Sequence, residues 1–280
     1  MLATHSGKSI AHFCELVQTG AMVAVWPRQN YVPGGGPGQI ALVALAPVAV
    51  AEPLPVSRSR HGMPQAEGAL AVSVNTRARA TDPNWFQAQV ITPFLQLIEG
   101  DLDREAVALA EAATHAYVIT AEVADPDDLA HVQAAWALAK CVAEAGASLI
   151  IDATAARAFF AEEIASLPPG RGFEILREVT MFVEEVTHAD GTTSLVAWTA
   201  GMQKFGRPNL VLPDIAPEYG AVAAHLLRDA AAVLAAGERV EPGDELHVGA
   251  NTFCVNTFVP EAHIAVELPA IVLSEKDHTP

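Results

Sequence analysis

Lys204 and Arg207 stand three residues apart in a turn that also holds Gly201, Gly206 and Pro208. Two cations at that spacing can hold a carboxylate or a phosphate, the guanidinium in a two-pronged grip. Glycine lets a main chain come close to such a ligand. His115 heads a separate β-forming run and is the residue that would complete a site with Gly201, Lys204, Gly206 and Arg207. The chemistry would be that of a small-molecule enzyme. The competing reading is a structural turn with both cations in water. The glycines carry an expectation of their own. Pro208 restricts Arg207 to extended backbone, so the chain must reverse before it, and a left-handed glycine reverses it without a clash. Gly206 is the better candidate of the two.

Other residues offer less. The ten histidines are dispersed, with no helical pair and no His-Glu-x-x-His spacing, so no metal site is expected. No cofactor is expected either. The glycine-rich stretch 34–38 lacks the Lys-Ser/Thr that a phosphate loop needs. Asp152 follows a buried strand, where sites of α/β proteins lie, but a cap for the next helix, through Ala153 and Thr154, is the simpler reading. Glu184 and Glu185 are strand neighbours and point to opposite faces, so they cannot act as paired acid and base. Cys141 lies mid-helix beside an apolar stripe, which disfavours a nucleophilic role. Arg58, Arg60, Arg77 and Arg79 read as solvated cations on and near a loop.

The elements that would position these residues follow from periodicity and punctuation. Helices are expected over 6–18, 101–113, 157–166 and 218–236. The last would turn Tyr219, Val222, Leu226, Ala230, Val233 and Leu234 inward. The best-specified helix begins near Asp125 and Pro126, with Asp127 and Asp128 at its positive end. Leu129, Val132, Trp136, Ala139 and Val142 form its apolar stripe, and Gly146 stops it. Strands are expected over 22–26, 39–50, 70–76, 116–123, 148–151, 179–186 and 194–200. The strand pair 179–186 and 194–200 brackets Asp190 and Gly191, a strong hairpin signal. Residues 53–68 read as a long surface loop, and 85–98 is ambiguous because Pro93 breaks either element.

The 280 residues are 51% hydrophobic and 18% charged, which excludes disorder for most of the chain. An alanine-rich, lysine-poor composition points to a high-GC bacterial source. Three widely spaced cysteines fit a reducing compartment. No signal peptide is read at the N-terminus, and the longest apolar run, 40–51, is too short to span a bilayer. The expectation is a cytoplasmic protein with no membrane association. Net charge is −17. Residues 1–104 hold seven Lys/Arg and seven Asp/Glu, whereas residues 105–280 hold nine and twenty-six. Such a surface repels phosphates, so no nucleic acid partner is expected. It either attracts a basic protein partner or serves as a solvated face.

Residues 199–210, with Thr199, Gly201, Met202, Gly206, Pro208, Asn209 and Leu210, resemble the signature of an uncharacterised bacterial domain family. In that family a strand runs into Gly-Met/Leu and then a Gly-x-Pro-(acidic/Asn)-Leu turn. The run from Thr114 to Val118 is similar to its histidine-led central strand. The helix 127–145 with the strand 148–152, and the 240–244 turn, follow its expected order. This chain has Asn209 where an acid is common and Tyr117 where a second histidine often sits. The resemblance implies an α+β fold, and an immunity or stress-associated role through protein binding rather than a known activity. The expected fold is therefore α+β: a mixed, largely antiparallel sheet covered by helices, with ferredoxin-like elements and a β-rich C-terminal tail. The expected organisation is 1–38 as an N-terminal helix and strand, 39–237 as the main domain, and 238–280 as a β segment packed on it. The expected function is non-catalytic protein binding, with a small-molecule enzyme at the 201–208 turn as the alternative.

Overall fold

The computed structural model describes residues 8–9, 14–17, 23–65, 72–97, 104–188, 190–260, 266 and 268–275. With 32% helix and 34% strand in two mostly antiparallel sheets, the chain is α+β. It divides into two compact units, each assembled from separate stretches of sequence.

The first unit takes Met1–Trp26, Gln39–Val123 and Asp128–Gly172. Its sheet joins β1 (Lys8–Ser9), β3 (Gly38–Ala46), β5 (Val72–Ala78), β6 (His115–Val123), β7 (Leu149–Asp152) and β8 (Arg157–Phe160), in the order β1-β5-β6-β3-β7-β8. Strand β3 is central, and Ile40, Leu42, Ala44 and Leu45 are at most 2% exposed. A smaller parallel pair joins β2 (Cys14–Val17) to β4 (Leu54–Ser57). The helices are α1 (Arg58–His61), α2 (Pro83–Phe86), α3 (Thr92–Leu97), α4 (Arg104–Ala112), α5 (Ala130–Glu144) and α6 (Ala161–Ala165). Helix α5 packs against α6, β6 and β4, and every residue from 130 to 143 is buried. A helix covered on all sides needs small side chains where neighbours come close, and six of those fourteen positions are alanine.

Several elements of this unit depart from the sequence reading. Residues 14–17 form a strand rather than part of a helix, because β4 offers a ladder to them. Residues 6–7, 10–13 and 18 of that expected helix lie outside the described residues, as does Met22 of the expected strand 22–26. Residues 23–26 form no strand. The Trp26 amide donates instead to the Gln133 side chain at 3.1 Å. The expected loop 53–68 holds β4 and α1. Leu54 and Val56 alternate inward, and the Ser57 hydroxyl caps α1 by accepting from the Arg60 amide. Residues 157–160 are strand β8, so only α6 of the expected helix 157–166 is helical. The ambiguous 85–98 stretch is helical through residue 97, with a π-helical turn Gln87–Ile91 just before Pro93. The widened turn falls where proline has no amide to donate. Helix α5 starts at Ala130, not at an Asp125 cap, and Asp128 Oδ1 accepts the Ala130 amide at 2.9 Å.

The second unit takes Pro27–Gly38, Ala124–Asp127 and Phe173–Pro280. Its sheet runs β12-β13-β14-β11-β10-β9, from β9 (Thr180–Thr187), β10 (Thr193–Ala200), β11 (Asn209–Ile215), β12 (Glu245–Val248), β13 (Asn251–Thr257) and β14 (Ala270–Glu275). Strands β11 and β14 are parallel and the other pairs antiparallel. Three short helical turns, α7 (Ile175–Glu178) and the 3-10 turns Met202–Phe205 and Pro217–Tyr219, accompany the long helix α8 (Gly220–Ala235). Helix α8 packs on the strands through Ala223, Leu227, Ala230, Ala231, Leu234 and Ala235. Tyr219 and Val222, expected inward, are 58% and 53% exposed, because the buried face begins one residue later. The described residues thus form two six-stranded sheets and a two-stranded one where one sheet was expected. The expected domain 39–237 is shared between the units. The expected tail 238–280 contributes three strands to the same sheet as β9, β10 and β11.

Candidate functional site

The 201–208 turn is built from the ends of β10 and β11. Gly201 has φ +112 and opens the 3-10 turn, and Gly206 has φ +61 and closes it. Both adopt the left-handed backbone that glycine tolerates. A β-carbon on Gly206 would stand 2.1 Å from the Gly36 carbonyl oxygen. The Gly36 amide in turn donates to the Gly206 carbonyl at 3.0 Å. Asn209, fully buried, accepts from the Met202 amide at 3.3 Å, and the Thr199 hydroxyl accepts from the Leu210 amide at 2.9 Å. These bonds latch the turn onto its own strands.

The two cations of the turn are inside, not in water. Lys204 is 0% exposed and donates to the Glu178 carboxylate at 3.1 Å and the Glu178 carbonyl at 2.9 Å. Arg207 is 2% exposed. Its Nε donates to the Glu238 carbonyl at 2.7 Å, its Nη1 to Gly206, and its Nη2 to Gly237 at 2.7 Å and to Val32 at 3.1 Å. A second buried guanidinium works beside it. Arg28 donates to the Ala235 carbonyl at 3.0 Å, the Leu234 carbonyl at 3.1 Å and the Pro126 carbonyl at 2.6 Å. The last carbonyls of a helix have no partner within it and carry partial negative charge. Arg28 and Arg207 satisfy those at the end of α8 and just beyond it. Burial, and then the nearby Arg207 charge, bring Arg28 down to about 10. Burial likewise lowers Arg207, against the pull of Asp125. Gly201, Lys204, Gly206 and Arg207 are thus brought together, as structure. His115 lies in the other unit, at the start of β6, with Nδ1 2.8 Å from the Thr114 hydroxyl. Tyr117 is fully buried, and its hydroxyl accepts from the Val50 amide at 2.8 Å.

The first unit contains a recess that the sequence did not announce. Trp26, His61, Gln133, Trp136, Lys140 and Arg171 line it, and its interior of about 20 Å³ suits a single water. Helix α5 supplies Gln133, Trp136 and Lys140, and the end of α1 supplies His61. His61 Nδ1 accepts from the Ser57 amide at 2.8 Å. That leaves the proton on Nε2, 3.4 Å from Glu144 Oε2. The same carboxylate meets Arg60 at 2.6 Å. Burial lowers His61, with Glu144 opposing. Burial also lowers Lys140, whose ammonium donates to the Leu167 carbonyl. Cys141, next to it, is pushed up to about 11 by burial, so its thiol stays protonated and is a poor nucleophile. The signal for His61 was faint: a serine four residues earlier that could cap one short turn. Asp152, buried, accepts from the Ala155 amide at 3.0 Å and so caps the turn that leads into β8, not a helix as the simpler reading had it. Among the described residues no three His, Cys, Asp or Glu side chains gather as a metal site would require, and no helix is long and apolar enough to cross a membrane.

The chain matches no family model, no curated protein and no solved structure.

Proposed function

We propose that this is a non-catalytic protein-binding protein that engages a basic partner through its acidic surface. One observation supports the reading. Among the described residues burial withdraws four cations, Arg28, Lys140, Lys204 and Arg207, from the chain's total of sixteen. Among the described residues it withdraws only two acids, Asp152 and Glu178, from thirty-three. The surface a partner meets is therefore more negative than the net charge of −17 conveys. Charge of one sign speeds encounter with its complement and repels nucleic acid. The alternative, an enzyme at the 201–208 turn, needs free donors there. Lys204 and Arg207 spend theirs on Glu178 and on main-chain carbonyls. On this reading the protein works in the cytoplasm, and its resemblance to an uncharacterised bacterial family gives it an immunity or stress-associated role.

The test is capture from a soluble extract of the source organism on the immobilised chain. A basic protein held at about 50 mM salt and released near 500 mM is the expected result, because exposed charges are screened over that range. Recovery of no partner at either salt overturns the reading.

A further inference from the structure

We propose that the free edge of β9 is a strand-docking site for an extended, lysine- or arginine-bearing segment of a protein partner. The proposal rests on the binding reading above and gives it a surface. Strand β9 ends its sheet, and no other described strand pairs with its outer side. A sheet edge presents unpaired amides and carbonyls, and natural proteins blunt such edges with shortness, charged side chains, proline or bulges. Strand β9 uses only charge, at Glu184 and Glu185, which leaves the edge open to a segment of opposite sign. It is eight residues long and contains neither lysine nor proline. It pairs with β10 through eight consecutive residues without interruption. The irregularity in this part of the sheet lies between β10 and β11 instead. The other strands that end a sheet order in the two six-stranded sheets, β1, β8 and β12, have two, four and four residues.

The side chains along this edge state what should dock. Val183 is 40% exposed, and Glu184 and Glu185 beside it are exposed on opposite faces. The first turn of α8 lies against the same stretch. A β-carbon on Gly220 would stand 3.9 Å from Val183 Cγ1. Tyr219 and Val222, next to it, are more than half exposed, and Glu218 borders them. The result is an apolar ledge with an acidic rim beside an open ladder. A second copy of β9 paired antiparallel along its whole length would set Glu184 and Glu185 against Val183 and Phe182 and bring Glu185 of each copy diagonal to Glu184 of the other, and like charges so close across a ladder are unfavourable. A strand with β-branched residues opposite Val183 and cations opposite Glu184 and Glu185 satisfies both. In such augmentation the main chain gives affinity and the alternating side chains give specificity.

The probe is a labelled synthetic peptide of about eight residues, two adjacent lysines set among valines and threonines, matched to the usual length of a strand. Its control carries glutamate at the lysine positions. The lysine peptide is expected to bind and to slow amide exchange specifically in residues 180–187. The control is expected to bind at least about 10-fold more weakly, as opposed and like cross-strand charges differ in sign. Glu184→Lys with Glu185→Lys should invert that preference while the melting temperature stays at the wild-type value, since both side chains are exposed. Absence of binding, equal binding of the two peptides, or protection elsewhere overturns the proposal. Protection of 180–187 that grows with protein concentration alone would assign the edge to a second copy and also overturn it. A basic partner captured equally well by the double variant would sink the edge site and keep the binding reading. Peptide binding with no captured partner would do the reverse.

Discussion

Gly206 combines two constraints that another glycine of the same unit separates. At Gly206 a side chain meets both a positive φ of +61 and the Gly36 carbonyl. At Gly191, in the β9–β10 hairpin, φ is +83 but nothing lies within 4 Å of an added β-carbon. Gly206→Ala should therefore cost about 2–5 kcal/mol, backbone strain plus a steric clash. Gly191→Ala should cost only about 1–2 kcal/mol. Denaturant melts of the two variants decide, and equal losses would show that the close approach to Gly36 contributes nothing. The Lys204–Glu178 pair is a second residue-scale case, since both side chains are fully buried. Lys204→Met should cost about 3–5 kcal/mol, because it takes the cation away from a buried carboxylate. Adding Glu178→Leu should recover much of that loss. A double change that simply sums the two single losses would mean the pair is not coupled. At this scale the glycines were legible because a left-handed turn is a local demand. The burial of Lys204 and Arg207 was not. Their partners are set by chain that lies 26 to 31 residues away, at Glu178, Gly237 and Glu238.

At the scale of elements, the β9–β10 hairpin was readable from Asp190, Gly191 and the β-prone flanks, since hairpins are local. Strands β2 and β4 were not, because a parallel pair joins segments with no local turn between them. Helix α5 was legible as a helix and misread as amphipathic. Alanine carries little polarity either way, so its stripe gave no sign that the opposite face is covered too. The junction of α1 and α5 carries a pH prediction. Burial and the nearby Arg60 and Lys140 charges hold His61 below its ordinary 6.5, and Glu144 only partly offsets them. As pH falls through 6.5 the unfolded chain takes up this proton before the folded one, so stability is lost toward acid. Protonation also removes the Nδ1 lone pair that accepts from Ser57. Thermal melts from about pH 8 to 5 should thus fall more steeply for the wild type than for His61→Gln. Parallel curves would show that the imidazole does not contribute to acid sensitivity.

For the whole molecule, the α+β class and the acidic balance were legible, since both come from composition and periodicity. The division into units was not. The boundary near residue 172 carries no linker-like composition beyond Pro168, Pro169 and Gly170, and both units reclaim earlier stretches of chain. The salt-sensitive capture of a basic partner belongs to this scale, because it reads the summed field rather than any one contact. The position of β14 has one more consequence. It is the last described strand to be translated, yet it lies third from the end of its sheet, between β13 and β11. A ribosome delivers β9, β10 and β11 first, then β12 and β13, and only afterwards the strand that joins the two groups. Until residues 270–275 emerge, the nascent chain holds two partial sheets with their facing edges exposed. The growing polypeptide must keep those edges from unwanted partners until that strand arrives.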